Sequence, residues 1–284
     1  MSAVLLDGKA LAASIEEELK ARVARLDAKG LRPGLAVIRV GEDAASAAYV
    51  ARKEKACARV GIHSVQYAFD AGISMGELLQ TIDLLNRDGD IHGILLQLPL
   101  PAMLEARPLL EAIAPEKDVD GLKAIHLGKV FQGEQGFVPC TPKGISRLLK
   151  AYDLPVEGKD VVIAGRSDLL GKPMAALMLE ENATVTLCHS RTACLAAHTR
   201  RADLLIVGIN QPMYITPDMV QEGAIVIDAG IHRMDGKIRG DVHPDVLAKA
   251  AYMTPVPGGV GPMTVAMLLE NTIEAAEKQL DQGV

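Results

Sequence analysis

The chain contains no tryptophan, and aromatic residues make up only 3% of its 284 positions. A surface that stacks bases on aromatic rings is therefore poorly supplied. No basic run occurs, and the formal net charge is −6. Nucleic acid and anionic membranes are disfavoured as partners on that ground. No stretch approaches the roughly 20 apolar residues that span a bilayer, so no membrane partner is expected. The start, Met1-Ser-Ala-Val-Leu-Leu-Asp7, lacks the basic and long apolar segments of a signal peptide. The four cysteines (Cys57, Cys140, Cys188, Cys194) form no Cys-x-x-Cys pair. Buried or free thiols in a reducing cytoplasm are the expectation, and a metal site is not. A His-Glu-x-x-His motif is missing as well, so the seven histidines read as structural or solvated. What is present is a hydrophobic content of 49%, enough for a large core over about two domains.

Leu11, Ile15, Leu19 and Val23 recur four apart and predict a helix over 7–29, with Gly30 at its end. Leu35–Val40 is a short apolar run between glycine turns, hence a buried strand. A helix is expected over 43–60 with Asp43 as N-cap, then a strand over 63–69. Ser74 with Glu77 three residues on is a capping box opening a helix to Asn86. A strand over 93–97 stops at Leu98-Pro-Leu-Pro101, and a helix over 103–113 stops at Pro115. Residues 115–140 are less regular, and Pro139-Cys-Thr-Pro142 opens a helix to about residue 152. A second series follows: strands over 160–164, 184–188, 204–207 and 224–228, with a helix over 171–180. A last helix is expected over 261–279. Alternating strands and helices of this length imply βαβ units and parallel sheets. The predicted class is α/β in two domains. One comprises residues 1–139 plus 256–284 and the other residues 140–255, with the last helix returning to the first.

Pro255-Val-Pro-Gly-Gly-Val-Gly-Pro-Met-Thr264 packs three prolines and three glycines into ten residues. Such a run is neither helix nor strand. It is a stiff turn whose bare backbone a flat ligand can approach closely. Alone it also reads as a helix-entry turn, with Pro262 in the first helical turn and Thr264 near the cap.

In the second series, the strand ending at Ala164 runs into Gly165-Arg-Ser-Asp-Leu-Leu-Gly171 and a helix. A glycine turn leading into a helix N-terminus suits a pyrophosphate, because N–H groups and the helix dipole favour anions there. The spacing is not Gly-x-Gly-x-x-Gly, so an ordinary βα turn remains open. The next strand ends in Cys188-His189-Ser190-Arg191-Thr192. The carboxylate expected of an NAD site is missing, and an arginine stands in its place, which favours NADP. Arg166 adds charge at the same end, and a solvated loop arginine is the alternative.

In the first series, Tyr49 and Lys53 are four apart and share a helix face. A tyrosine there can stack on a flat ring while the amine handles protons, provided burial lowers its pKa. An amphipathic helix with a solvated lysine is the other reading. Gln97 ends a strand where ligands of parallel sheets gather, and its amide can orient a lysine without neutralising it. Lys117-Asp-Val-Asp120-Gly offers two carboxylates two apart. On extended backbone they face opposite ways, one for structure and one for a ligand with a guanidine-like edge.

Taken together, the chain resembles the bifunctional methylenetetrahydrofolate dehydrogenase/methenyltetrahydrofolate cyclohydrolase family over nearly its full length. The resemblance rests on Tyr49-Val-Ala-Arg-Lys53, Asn86-Arg-Asp88 with Gly93-Ile-Leu-Leu-Gln-Leu-Pro-Leu100, Pro115-Glu-Lys-Asp-Val-Asp-Gly121 and Pro257-Gly-Gly-Val-Gly-Pro-Met-Thr264. It implies an active site in a cleft between the first domain and a Rossmann-type cofactor domain, in a homodimer. It implies oxidation of 5,10-methylenetetrahydrofolate with NADP, then hydrolysis to 10-formyltetrahydrofolate. Lys53 would then manage protons, Gln97 would tune it, Tyr49 would pack on the folate and Asp120 would anchor the pterin. Leu98, Pro99, Pro257, Gly258 and Gly259 would line the substrate. Gly165, Arg166, Ser167, Ser190, Arg191 and Ile231 would hold the cofactor. Two departures stand out: Asn210-Gln211 where the family shows Gly-Lys, and His232-Arg233 where it shows Asn. They bear on cofactor affinity before chemistry. An NAD-dependent or dehydrogenase-only relative, or a non-catalytic folate- or nucleotide-binding regulator with Lys53 idle, are the alternatives.

Overall fold

The structure, a computed structural model, describes residues 3–42 and 44–281, with the backbone alone for 44–48. The N-cap expected at Asp43 lies outside the described residues. In chain order the elements are β1 (Val4–Leu5), α1 (Gly8–Asp27), β2 (Gly34–Val40), α2 (Ala44–Val60), β3 (His63–Phe69), α3 (Met75–Arg87), β4 (Gly93–Leu96), α4 (Ala106–Ala112), α5 (Ala124–Phe131) and α6 (Cys140–Ala151). They continue with β5 (Asp160–Ala164), α7 (Gly171–Glu180), β6 (Thr184–Cys188), α8 (Leu195–Thr199), β7 (Leu204–Val207), β8 (Ile225–Asp228), β9 (His232–Met234), β10 (Lys237–Arg239), β11 (Tyr252–Met253) and α9 (Val260–Asp281). They form two compact units: one holds residues 13–128, 136–140 and the chain from Val265 on, the other the remainder.

The unit that carries Lys53 is built on a parallel three-stranded sheet in the order β3-β2-β4. Its central strand β2 is fully buried from Leu35 to Ile38, which is why it reads as a continuous apolar run. Leu78, Ile82 and Leu85 of α3 pack on it, and the Ser74–Glu77 capping box closes that helix's first turn in both directions. Such a cap stabilises by about 1 kcal/mol. In α9, Ala266, Met267, Leu269, Ile273 and Ala276 are fully buried, so this is a core helix from Val265 on. Arg22 of α1 ties to it through a two-pronged bond with Glu277, at 3.0 and 2.6 Å.

The other unit is organised on a six-stranded sheet in the order β1-β11-β8-β7-β5-β6, with every pairing parallel. Alternate residues serve opposite faces. Val161, Ile163, Leu204, Ile206, Ile225 and Ile227 pack under Ile145, Leu148, Met174 and Met178 of α6 and α7. Val162, Ala164, Leu205, Val207 and Val226 pack against Ala202, Ile215, Val220, Val242 and Val246. From β5 the chain goes outward to β6, then returns to place β7 on the other side of β5. The strand order therefore reverses between β5 and β7. Ligands of open parallel sheets bind at the carboxyl ends of strands at such a reversal.

Several elements differ from expectation. Strands β1, β9, β10 and β11 are too short to show a period, and β1 joins the larger sheet by pairing Val4 with Tyr252 and Leu5 with Met253. The helix expected over 103–113 runs only from Ala106 to Ala112. Residues 115–121 are not extended: Pro115–Lys117 makes a 3-10 turn, and Gly121 sits at φ 71°. Thr264 is no cap. It lies inside α9, where its hydroxyl donates back to Val260 O at 3.2 Å. No helix among the described residues is long and apolar enough to cross a membrane.

Candidate active site

Helix α2 carries Tyr49 and Lys53 one turn apart, and β4 delivers Gln97 just past its carboxyl end. Lys53 is buried, with 5% of its surface exposed. Its Nζ donates to Gln97 Oε1 at 3.0 Å and lies 4.6 Å from the centre of the Tyr49 ring. The Gln97 amide is held in turn: its Nε2 donates to Leu98 O at 2.6 Å, and its backbone N–H continues the sheet to Ile38 O. Burial drives the lysine's pKa down, while the negative charge of Asp120 and the thiols of Cys140 and Cys57 pull it back up. Burial, then Asp120, pushes the Tyr49 hydroxyl up, so it stays protonated. Asp120 thus lies within electrostatic reach of both side chains, and all four expected catalytic residues meet in one unit. Leu98 and Pro99 follow Gln97 directly through a cis peptide bond, with Pro99 exposed.

The segment carrying Asp120 is pinned by residues to which the sequence reading assigns no role. Buried Lys117 donates to Leu85 O and Asp88 O at 2.9 and 2.7 Å, capping the carboxyl end of α3. Buried Lys123 donates to the carbonyls of Glu111 and Ile113 at the end of α4. Cationic groups belong there, since free carbonyls and the dipole converge. Asn271 of α9 donates to Val119 O at 2.8 Å, and Asn86 bridges Ala112 O and Ala114 N at 2.8 Å each. The two carboxylates differ in burial. Asp118 is 1% exposed and accepts from Lys123 N at 2.8 Å, whereas Asp120 is half-buried. Burial raises the Asp118 carboxyl to about 7. Lysine in a polar segment reads as solvated, so only the folded chain shows Lys117 and Lys123 as structural. Cys140, read from sequence only as a thiol of no special role, lies within electrostatic reach of Lys53 and Tyr49.

In the other unit, the reversal between β5 and β7 is lined by glycine. A Cβ on Gly165, at φ 123°, would meet Gly208 O at 2.3 Å. One on Gly171 would meet Gly165 O at 1.9 Å. The helix α7 N-terminus is therefore packed against the glycine turn. Ser167 Oγ accepts from Leu170 N at 3.2 Å and shapes that turn, while the Arg166 side chain is exposed. Gly165 N donates to Cys188 O at 2.9 Å, which sets the end of β6 beside the turn. There Thr192 closes a tight turn on His189 through both its N–H and its hydroxyl, at 2.8 and 2.9 Å. Ser190 and Arg191 sit exposed at its tip.

Residues 6–120 match the family described as tetrahydrofolate dehydrogenase/cyclohydrolase, catalytic domain, and residues 139–280 match its NAD(P)-binding domain. The chain belongs to the tetrahydrofolate dehydrogenase/cyclohydrolase family. It is 53% identical over 279 residues to the bifunctional protein FolD of Halalkalibacterium halodurans, covering 98% of this chain and 100% of that one. The crystal structure of the bifunctional FolD enzyme from Campylobacter jejuni superposes with a TM-score of 0.96 at 50% identity, covering 98% of this chain and 100% of that one. The Trypanosoma brucei FolD structure, complexed with NADP cofactor and an inhibitor, superposes at 0.94 with 37% identity and 99% of both chains covered.

Within this family frame, the remaining expected residues all lie in the unit with the larger sheet. Gly258 takes φ 112°, and its carbonyl accepts from Lys9 N at 2.8 Å. Gly259 leaves no room for a Cβ on Gly8, which would sit 1.9 Å from its carbonyl. Pro257 is exposed beside them. The glycines thus serve the packing of the start of α1, a role that the turn pattern alone did not show. Ile231 follows β8 with 57% of its surface exposed. The Asn210 departure is physically mild: the residue sits at φ 58°, a left-handed position that asparagine tolerates best after glycine.

Proposed function

We propose that the protein oxidises 5,10-methylenetetrahydrofolate with NADP⁺ and hydrolyses the resulting 5,10-methenyl cation to 10-formyltetrahydrofolate. The observation that carries this reading is the buried Lys53 held by a neutral amide, with Asp120 in electrostatic reach. Hydrolysis adds water to the methenyl carbon, breaks its bond to N5 and releases one proton. A lysine with a depressed pKa can take a proton from the attacking water and return one to N5. Gln97 Oε1 accepts from the amine in either protonation state, so it fixes Nζ without fixing its charge. Asp120 offers a carboxylate to the pterin's amino-pyrimidinone edge, where two parallel N–H bonds give orientation as well as affinity. Tyr49 packs the ring from the same helix face, and Leu98 and Pro99 extend that wall. Pro257, Gly258 and Gly259 would be further substrate contacts.

The glycine cradle of Gly165, Gly171 and Gly208 fits a dinucleotide: a methyl group on Gly165 or Gly171 would strike backbone, at Gly208 O and Gly165 O, and one on Gly208 would strike the Leu170 side chain. When bound, NADP⁺ accepts the hydride leaving the methylene carbon. Gly165 and Ser167 would hold the pyrophosphate, Arg191, Ser190 and Arg166 the 2′-phosphate, and Ile231 the nicotinamide end. The protein's contribution to that step is position and electrostatics. The homodimer belongs to the same proposal and is read by light scattering.

The test follows methenyl absorbance from methylenetetrahydrofolate with NADP⁺ or NAD⁺, then its decay. Methenyl formation preferring NADP⁺, and accelerated decay, are expected. Arg191→Ala should raise the KM for NADP⁺ at least about tenfold, in line with loss of a charge-assisted contact, and leave that for NAD⁺ unchanged. No methenyl product with either dinucleotide overturns the reading.

A further inference from the structure

The loop after β7 is held in an unusual way. Three consecutive backbone N–H groups converge on one carboxylate: Ile209 and Asn210 donate to Asp241 Oδ2 at 2.8 and 3.2 Å, and Gln211 donates to Oδ1 at 2.8 Å. Successive N–H groups around a left-handed residue form a concavity for an anion. Here the anion is the chain's own side chain, and Asp241 is fully buried. Its fourth donor is His232, whose Nε2 lies 2.7 Å from Oδ1. A carboxylate offers about four lone-pair sites, so all are served, two on each oxygen. His232 comes from the segment after β8, directly behind Ile231. Gly230 in the same segment is packed so closely that a Cβ would lie 2.5 Å from Asp241 Cγ. One buried carboxylate therefore ties together the loops at the carboxyl ends of β7 and β8. These are the strand ends that flank the dinucleotide region.

We propose that His232 and Asp241 are a positioning pair for the dinucleotide step, with His232 supplying the donor that completes the Asp241 cage and holds the 208–213 loop in its binding shape. The inference rests on the dinucleotide reading above and adds residues outside the proposed folate and cofactor contacts. Without the imidazole, Asp241 keeps three donors, one oxygen is under-served, and the loop loses its link to the β8 segment. Folate hydrolysis draws on Lys53, Gln97 and Asp120 in the other unit and does not depend on this link.

Three proteins separate the outcomes: the full chain, His232→Leu, which keeps bulk and removes the donor, and His232→Gln, whose amide nitrogen reaches the place of Nε2. NADP⁺ binding is titrated calorimetrically, and hydrolysis of preformed methenyltetrahydrofolate is assayed without dinucleotide. His232→Leu should weaken NADP⁺ binding about tenfold or more, as expected for a lost bond to a buried carboxylate, and leave hydrolysis within about twofold. His232→Gln should recover most of the affinity. Unchanged NADP⁺ affinity in His232→Leu, or a parallel loss of both functions that glutamine does not rescue, overturns the proposal. Failure of the parent chain to bind NADP⁺ overturns it through the dinucleotide reading, whereas failure of the parent chain only to hydrolyse methenyltetrahydrofolate strikes the functional reading and leaves the binding comparison standing.

Discussion

Asp118→Asn isolates the electrostatics of the segment that carries Asp120, the proposed pterin anchor. Asp118 is almost fully buried, one of its oxygens accepts from Lys123 N, and the other has no hydrogen-bond partner. Burial is the main reason its carboxyl rises from 3.8 to about 7, and the charge of Asp120 adds to the rise. His126 Nε2 lies 3.9 Å away and also 2.8 Å from Pro115 O, while Nδ1 of that ring accepts from Phe137 N. The folded chain therefore keeps a proton on Asp118 well above the pH at which the unfolded chain releases it. With more protons bound in the native state, stability falls as pH rises between the two values and levels off above the folded one. From pH 5 to pH 8 the free-energy change is about 2–3 kcal/mol, taking 1.36 kcal/mol per pKa unit. Asparagine does not titrate. Its amide leaves an unpaired donor that costs about 1–3 kcal/mol, but that cost is the same at every pH. Urea unfolding of the two chains at pH 5, 6, 7 and 8 should show the gap moving towards the variant by about 2–3 kcal/mol. All other titrating groups are common to both and cancel. A gap that stays constant within about 0.5 kcal/mol, or moves the other way, refutes the assignment of a protonated buried acid.

Gly171→Ala puts a methyl group 1.9 Å from Gly165 O, so the turn must shift by more than an ångström; overpacking of this kind costs about 1–3 kcal/mol. The KM for NADP⁺ should rise at least about tenfold while methenyl hydrolysis changes less than about twofold, and an unaltered KM would show that the cradle holds no dinucleotide. Lys53→Met should slow hydrolysis by about a hundredfold or more without lowering the urea midpoint, because an amine that burial penalises is replaced by an apolar chain of similar length. Retained hydrolysis would remove the lysine from the mechanism. Gln97→Glu places a carboxylate where Oε1 now stands 3.0 Å from Nζ, which raises the lysine's pKa. The basic limb of the hydrolysis pH profile should move upward, and a profile superposable on the parent's would separate Gln97 from Lys53.

Much of the Lys53 site was legible because its signals are local. Tyr49 and Lys53 share a helix face by spacing alone, and Gln97 ends a strand that glycine and proline bracket. The capping box at Ser74 was equally readable, since both partners lie within one turn. Parts of the site that depend on distant chain segments were not. Lys117 and Lys123 are buried only because two helix ends, α3 and α4, present carbonyls to them. Asn271 reaches Val119 across 152 positions of sequence. The short strands β1 and β11 carry too few residues for any period, and their pairing is a property of the finished sheet. The dinucleotide end is intermediate. Its glycines were visible, but the reason for each is a contact: Gly165 against Gly208 and Gly171 against Gly165.

The chemistry of Lys53 depends on balance more than on any one neighbour. Burial favours the neutral amine, and the negative potential of Asp120 favours the ammonium. The face of Tyr49, 4.6 Å away, also favours the ammonium. A carboxylate in place of Gln97 would settle the contest for the charged form, and an apolar residue would leave Nζ without a fixed direction. An amide does neither. On the proposed reading, Asp120 would accept the pterin's N–H groups, which would draw its charge away from the lysine, and a cationic methenyl group adjacent to the site would oppose a second positive charge. Both changes would push the lysine towards the neutral form once substrate binds. The base that the proposed hydrolysis needs would then be generated by the intermediate itself, so a buried lysine in electrostatic reach of an acid could still accept a proton near neutral pH.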